Sequence, residues 1–330
     1  MKSIAVVGAG SWGTALAIVA GRSGHEVRLW SRNEETVASI NQERFNCSYL
    51  KEAEVPATVH ATTNIGEAVA GKGVVILAAP SHASRQVLTS LTGALEADAI
   101  VVSATKGIEI DTGKRMSEVA RDVLGERRFV CLSGPSFAKE VVERHPTAIV
   151  AAGNDPEDCR TIQSLLSCDS LRIYTNSDLV GVELGGSVKN VMAIAAGMVA
   201  GLGFGSNSVA ALITRGLAEM TRLAVRQGSR VETMMGLAGL GDLVLTCTGN
   251  LSRNRFVGEA LGKGQTLSVI TQRMREVAEG VKTTRAVKGL AAQSGVEMPI
   301  TTEVYQVLYE NKAALDAAVE LMNRPLRGEF

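Results

Sequence analysis

Two periodicities divide the chain. Up to about residue 178, short apolar runs of strand length alternate with stretches of helical spacing. Beyond it the strand pattern stops and long helical patterns continue. Ser3–Val7, Glu26–Trp30 and residues 73–79, 99–104 and 129–132 read as strands, and two further runs, 147–151 and 171–175, extend the series. Apolar strands separated by helices predict a parallel sheet buried on both faces. The expected class is α/β: a doubly wound, mostly parallel sheet over residues 1–178, then an all-helical domain over residues 179–330. No internal repeat, low-complexity run or flexible linker marks the boundary.

Within the helical half, one stretch has no polar face. Glu183-Leu-Gly-Gly-Ser-Val-Lys189-Asn190-Val-Met-Ala-Ile-Ala-Ala-Gly197 is apolar nearly all round, which predicts a buried helix. Lys189 is the exception. Gly185, Gly186, Met192 and Ala193 lie one turn away and Ala196 a turn further. The face around the amine is therefore mostly small, and another backbone or a ligand can come close. A desolvated ammonium gives up its proton more readily, which suits proton transfer. The competing reading is a lysine that snorkels from a helix end to water.

Charge and composition narrow the class. The 34 basic and 34 acidic residues cancel, so there is neither a basic field for nucleic acid nor an acidic tail. Aromatics are only 4% while glycines number 34, which fits α/β turns and close backbone approaches better than a stacking surface. The 5 cysteines are scattered without a CxxC pair, which predicts free thiols in a reducing, cytoplasmic compartment. His25, His60, His82 and His145 show no ligand spacing, so no metal site is expected. Gly8, Gly10 and Gly13 interrupt the apolar start, which reads as strand and helix rather than as a signal peptide. The later apolar run 191–205 is too short and too rich in glycine to span a bilayer, so no membrane insertion is expected.

The candidate chemistry begins at the first strand. Gly8-Ala-Gly10-Ser11-Trp12-Gly13 follows Ser3–Val7 and leads into a helical run, 14–20. In that setting a G-x-G-x-x-G pattern reads as a dinucleotide fingerprint of the Rossmann type. Gly8 makes the turn, Gly10 admits the pyrophosphate, Gly13 lets the helix pack, and the helix N-terminus faces the anion. After the second strand, where an NAD-specific enzyme usually offers an acid, the chain reads Ser31-Arg32-Asn33. Arg32 can pair with a 2′-phosphate, which argues for NADP; a solvated surface arginine is the alternative. Later strands end in Pro80-Ser-His, Thr105-Lys106-Gly107 and Ser133-Gly134-Pro-Ser136-Phe-Ala138. Ligands of such sheets bind outside the carboxyl ends of the strands, which places Lys106 to meet an anion or a carbonyl oxygen.

Two motifs follow in the helical half. Asp242 stands in the apolar, glycine-rich run Gly236-Leu-Ala-Gly239-Leu-Gly241-Asp242, a costly place for an unpaired acid. Lys189 is its natural partner, and a helix cap is its other reading. Ser252 can cap a helix that carries Arg253 and Asn254 in its first turn. Free N–H groups, a helix dipole and a guanidinium together make a phosphate site. Met234-Met235 reads as core packing.

Together these motifs resemble the bacterial-type NAD(P)-dependent glycerol-3-phosphate dehydrogenases. The resemblance runs from about Ile4 to about Tyr309. It is most specific at Gly186-Ser-Val-Lys189-Asn190, Gly201-Leu-Gly-Phe-Gly-Ser-Asn207, Gly239-Leu-Gly-Asp242-Leu-Val-Leu-Thr-Cys247 and Ser252-Arg253-Asn254. It implies that Lys189 gives and takes the proton, with Lys106 and Asp242 tuning it. It implies substrate contacts from Lys106, Gly134, Ser136, Asp242, Ser252, Arg253 and Asn254. It implies contacts to NADP or NAD from Ser11, Trp12, Arg32, Lys106, Ala138, Arg253, Val277 and Glu279. Ala200 departs from the pattern, since many members carry an acid there. The implied reaction interconverts dihydroxyacetone phosphate and sn-glycerol 3-phosphate and supplies phospholipid synthesis. Two other readings stay open: a related dehydrogenase of 3-hydroxy acids or sugar acids, and a catalytically silent NADP-binding sensor. The expected partner is a phosphorylated small molecule, not nucleic acid, and a homodimer is the assembly considered.

Overall fold

The computed structural model describes residues 3–274, 278–326 and 328–329. Its internal contacts define two units. One comprises Met1–Glu109 with Lys114–Glu183, the other Ile110–Gly113 with Leu184–Phe330.

In the first unit, eight strands form one sheet. They are β1 (Ser3–Val7), β2 (Glu26–Trp30), β3 (Val59–Thr62), β4 (Val74–Leu77), β5 (Ile100–Ser103), β6 (Phe129–Ser133), β7 (Thr147–Gly153) and β8 (Leu171–Asn176). Their order is β3-β2-β1-β4-β5-β6-β7-β8. The run from β3 to β6 is the strand order of dinucleotide-binding sheets. β1 shows why these strands are apolar throughout. Ile4 and Val6 enter one core with Leu16 and Ile18 of the helix Ser11–Arg22, while Ala5 and Val7 enter the opposite core with Leu88 and Leu91 of the helix Ser81–Leu91. A strand buried on both faces has no polar position to spare.

The expected Rossmann-type, mostly parallel sheet is present, with two additions. The sequence reading places no strand at β3, an edge strand of four residues in which Val59 and Ala61 alone are buried. That pattern is too short to stand out from a loop. β6 and β7 pair antiparallel, whereas the other neighbours are parallel. The helix that joins them, Ala138–Val142, has five residues, too few to carry the chain back along the strand for a parallel return.

Among the described residues, no strand follows Asn176. The helix Leu179–Gly201 is long and apolar enough to cross a membrane, with a mean hydropathy of 1.3 over its most apolar window, but 89% of that window is buried within the protein. It is a core helix. Its far end meets the helix Arg253–Gly262 along a glycine seam. A Cβ added to Gly258 would stand 1.9 Å from the Ile194 carbonyl oxygen, and one added to Gly197 would stand 2.0 Å from that of Arg255. The two backbones touch because neither side chain exists there. This contact fixes where the start of the second helix, with Arg253 and Asn254, lies along the Lys189 helix.

A buried acid ties two other helices of this unit. Glu219, on the helix Ser206–Arg226, accepts hydrogen bonds from the Ile300 N–H (2.7 Å) and the Thr301 N–H (3.3 Å) at the start of the helix Pro299–Tyr309. First-turn N–H groups lack helical partners, so the carboxylate caps the helix from outside. Burial outweighs these bonds and the nearby charges of Arg222 and Arg324, pushing the Glu219 carboxyl from its ordinary 4.5 up to about 7. A raised carboxyl pKa means that the folded protein holds a proton the unfolded chain releases. The associated stability is full below the ordinary value and is lost as the pH rises through the folded one. The melting temperature should therefore fall between about pH 5 and about pH 8, and Glu219→Gln should flatten that slope. Parallel profiles for parent and variant would contradict this.

Candidate active site

The Lys189 ammonium is buried, 6% exposed, and so is Asp242 at 1%. Lys189 Nζ donates to Asp242 Oδ1 at 2.7 Å and to Thr246 Oγ1 at 2.7 Å. The Thr246 hydroxyl in turn donates to the Asp242 carbonyl oxygen at 2.6 Å. Asp242 and Thr246 sit one turn apart on the helix Asp242–Thr248, so a single face presents both acceptors to the amine. The small face around Lys189 explains how that helix arrives. A Cβ on Gly185 would lie 2.5 Å from the Ala238 carbonyl oxygen, so the π-helical turn Leu237–Gly241 that leads into Asp242 packs where a side chain would otherwise stand. The close neighbour foreseen for this face is thus a second backbone. The snorkelling alternative is excluded, because the amine turns inward to a carboxylate. Two desolvated charges this close stabilise the fold only when well paired, and removing one partner leaves a costly orphan.

Cys247 adjoins this pair but is no rival nucleophile. Burial, helped by Asp242 and opposed by Lys189, pushes its thiol up to about 12.

The same unit places the phosphate motif. Ser252 caps the helix Arg253–Gly262, its hydroxyl accepting from the Arg255 N–H at 3.2 Å. The Asn254 side chain is buried and doubly committed. Its amide nitrogen donates to Asn190 Oδ1 at 2.9 Å, and its carbonyl oxygen accepts from the Gly280 N–H at 2.9 Å. Asn254 thereby bridges the residue after Lys189 to the first turn of the helix Glu279–Ser294. Its offer to an anion is then mainly its backbone N–H, in a helix turn whose donors have no helical acceptors. Arg253 is exposed at the surface. Surrounding protein atoms lower its guanidinium pKa and the charge of Glu279 raises it; an arginine keeps its charge through such shifts.

In the first unit, Lys106, Gly134 and Ser136 come together beyond the ends of β5 and β6. Lys106 Nζ donates to the Gly134 carbonyl oxygen at 2.8 Å and reaches Ser136 Oγ at 3.4 Å. Gly134 adopts φ +132°, and a Cβ there would press on Ile149 Cα at 3.0 Å, so the turn that exposes this carbonyl needs glycine. Ala138 opens the short helix after this turn. Arg32 is exposed immediately after the buried Ser31 at the end of β2. Val277 lies outside the described residues.

The glycine turn fits a nicotinamide dinucleotide on internal grounds. A Cβ on Gly8, at φ +116°, would stand 2.8 Å from the Ala78 carbonyl oxygen, and one on Gly13 would stand 1.9 Å from that of Gly8. The fold itself demands both glycines. A Cβ on Gly10 would meet nothing within 4 Å, so the protein's own packing gives no reason for glycine there. A ligand that approaches the backbone does. Next to it, the buried Trp12 Nε1 has no hydrogen-bond partner among the described residues. Among those residues there is no cluster of three or more His, Cys, Asp or Glu able to hold a metal ion.

Sequence reasoning passed over Thr246 and gave no role to Asn190. Thr246 was findable, standing four residues after Asp242 and so one turn away on the same face. Asn190 was not, because its partner Asn254 is 64 residues distant.

The strand order, the glycine turn and the paired lysine define a nicotinamide-dinucleotide oxidoreductase with a helical second unit. Residues 3–159 match the family described as NAD-dependent glycerol-3-phosphate dehydrogenase N-terminus, and residues 178–319 match its C-terminus. The chain belongs to the NAD-dependent glycerol-3-phosphate dehydrogenase family. Among its relatives, the glycerol-3-phosphate dehydrogenase (NAD(P)+) of Koribacter versatilis is 55% identical over 98% of both chains. That of Citrifermentans bemidjiense is 51% identical over 99% of both. The crystal structure of glycerol-3-phosphate dehydrogenase from Coxiella burnetii is 41% identical, with a TM-score of 0.95 over 98% of this chain and 99% of that one.

Proposed function

We propose that the protein interconverts dihydroxyacetone phosphate and sn-glycerol 3-phosphate with NADP or NAD as cofactor. The observation that carries this reading is the buried Lys189 ammonium, fixed by Asp242 and Thr246 and followed directly by Asn190, which bonds the capped start of the Arg253 helix. Bound NADPH or NADH would supply a hydride, one hydrogen nucleus with two electrons, to the ketone carbon. Lys189 gives its proton to the carbonyl oxygen as negative charge develops there, and takes one back in the reverse direction. Asp242 and Thr246 hold the amine to that line. Arg253, with the first-turn N–H groups after Ser252, grips the phosphate. Lys106, Gly134 and Ser136 complete the substrate contacts. Gly8, Gly10, Ser11, Trp12, Gly13, Arg32, Ala138, Val277 and Glu279 hold the cofactor, along with Lys106 and Arg253. The product feeds phospholipid synthesis in the cytoplasm.

The test is NADPH oxidation with dihydroxyacetone phosphate against a panel of other ketones and 3-oxo acids. Dihydroxyacetone phosphate should give the highest kcat/KM. A 3-oxo acid turned over equally well would sink the assignment. Arg32 adds a cofactor prediction. Arg32→Ala should weaken NADPH by about tenfold, the size of one lost charge-assisted contact, and leave NADH unchanged. Equal losses for both cofactors in a titration would mean that Arg32 does not read the 2′-phosphate.

A further inference from the structure

A buried asparagine outside every motif named so far grips the glycine turn from behind. Asn46 is fully buried, 0% exposed. Its amide nitrogen donates to the Ala9 carbonyl oxygen at 2.9 Å and to Thr14 Oγ1 at 2.8 Å. Its carbonyl oxygen accepts from the Tyr49 N–H at 3.2 Å. This pattern fixes which end of the side chain is which, since a reversed amide would set its oxygen against the Ala9 carbonyl. Thr14 adds a weaker bond of its own to the Ala9 carbonyl at 3.3 Å. The same segment is tied down again where the Ser11 hydroxyl donates to the Tyr49 carbonyl oxygen at 2.9 Å.

The Ala9 carbonyl belongs to the peptide unit that also carries the Gly10 N–H. In a planar trans peptide the C=O and N–H point in opposite directions. Two donors holding the Ala9 carbonyl toward the interior therefore turn the Gly10 N–H outward. Gly10 also has open space beside it, since an added Cβ would meet nothing within 4 Å apart from its chain neighbours. Without these donors, the Ala9–Gly10 peptide could turn over, since glycine on its C-terminal side tolerates the change in φ, and present an oxygen to an anion instead.

We propose that Asn46 is a positioning residue for the cofactor. Acting with Thr14, it locks the Ala9–Gly10 peptide so that the Gly10 N–H meets the pyrophosphate. This rests on reading the glycine turn as the dinucleotide cradle. A cofactor that binds only one peptide orientation has its affinity scaled by the fraction of molecules in that orientation, so a released peptide raises the apparent Kd in proportion.

The experiment is a fluorescence titration of NADPH with the full-length protein, with a thermal melt of each variant. Asn46→Asp keeps the acceptor for Tyr49 but loses both donors. Thr14→Val removes the hydroxyl that shares the load, Thr14→Ser restores it, and Thr14→Val gives a reading even if Asn46→Asp fails to fold. Gly10→Ala serves as the control on the cradle itself. With the peptide oriented only about a tenth of the time, Asn46→Asp and Thr14→Val should each raise the NADPH Kd about tenfold. Thr14→Ser should return it to near the parent value, and the KM for dihydroxyacetone phosphate should stay unchanged throughout. If Gly10→Ala weakens NADPH while the folded Asn46 and Thr14 variants bind it within twofold of the parent, the strap is purely structural and the proposal is overturned. A lowered melting temperature with unchanged Kd means the same. If Gly10→Ala also binds normally, the cradle reading itself fails and takes the proposal with it.

Discussion

Lys189→Met should lose roughly 10²–10⁴-fold in kcat, the usual cost of removing a positioned general acid, while keeping its fold and its NADPH affinity. Reducing a ketone puts negative charge on its oxygen, and that oxygen needs a proton. Lys189 is held for such a task by acceptors at 2.7 Å on two sides, Asp242 and Thr246. Methionine keeps most of the stem volume, so any defect of Lys189→Ala beyond that of Lys189→Met reports lost packing, and the defect the two share reports lost chemistry. The substitution leaves Asp242 buried without its cation, so some loss of melting temperature is expected in both variants. The checks are steady-state kcat, NADPH Kd by fluorescence and a thermal melt. Turnover by Lys189→Met within a few-fold of the parent would make Lys189 structural and move attention to Lys106.

Arg253→Ala should raise the KM for dihydroxyacetone phosphate by roughly 10- to 100-fold, the scale of a lost charged hydrogen bond. The residue is exposed, so no core is disturbed and the fold should survive intact. Its neighbours belong to the architecture rather than to the side chain: the Ser252 cap and the glycine seam hold the helix start in place without it. What disappears is the guanidinium with its exposed stem. Because Glu279 lies within its electrostatic reach and both are expected at the cofactor, the NADPH KM should rise as well. Dihydroxyacetone, which lacks the phosphate, should be a poor substrate for the parent and nearly indifferent to Arg253→Ala. Equal use of the ketone and its phosphate ester by the parent would remove the phosphate site.

The fold was legible where one residue pattern had one physical solution. Ile4 and Val6 on one face of β1 with Ala5 and Val7 on the other require cover on both sides, and the alternating helices supply it. The edge strand β3 and the reversal at β7 were not legible, since each depends on what its neighbours leave open rather than on its own periodicity. The site divides in the same way. Lys189 and Asp242 were visible as charges in apolar surroundings, and their 2.7 Å bond is the expected result of burying both. Thr246 carried a signal of spacing that went unused. Asn46 carried none, because a neutral amide in a polar stretch looks like any loop residue until its partners across the fold are known, and the partner of Asn190 in the apolar Lys189 helix lies 64 residues away. The Asn254 side chain also bonds Asn190 and Gly280, a commitment set by tertiary contacts alone.

The claim at the centre of this account is that Lys189 protonates the substrate oxygen in the chemical step. The most direct measurement is a single-turnover reaction followed by stopped flow, with enzyme in excess over NADPH and dihydroxyacetone phosphate saturating, for parent and Lys189→Met side by side. Product release does not enter, so the rate of NADPH oxidation reports the chemistry alone. The account predicts a rate for Lys189→Met lower by roughly 10²–10⁴-fold at unchanged NADPH binding. A single-turnover rate equal to that of the parent would contradict it.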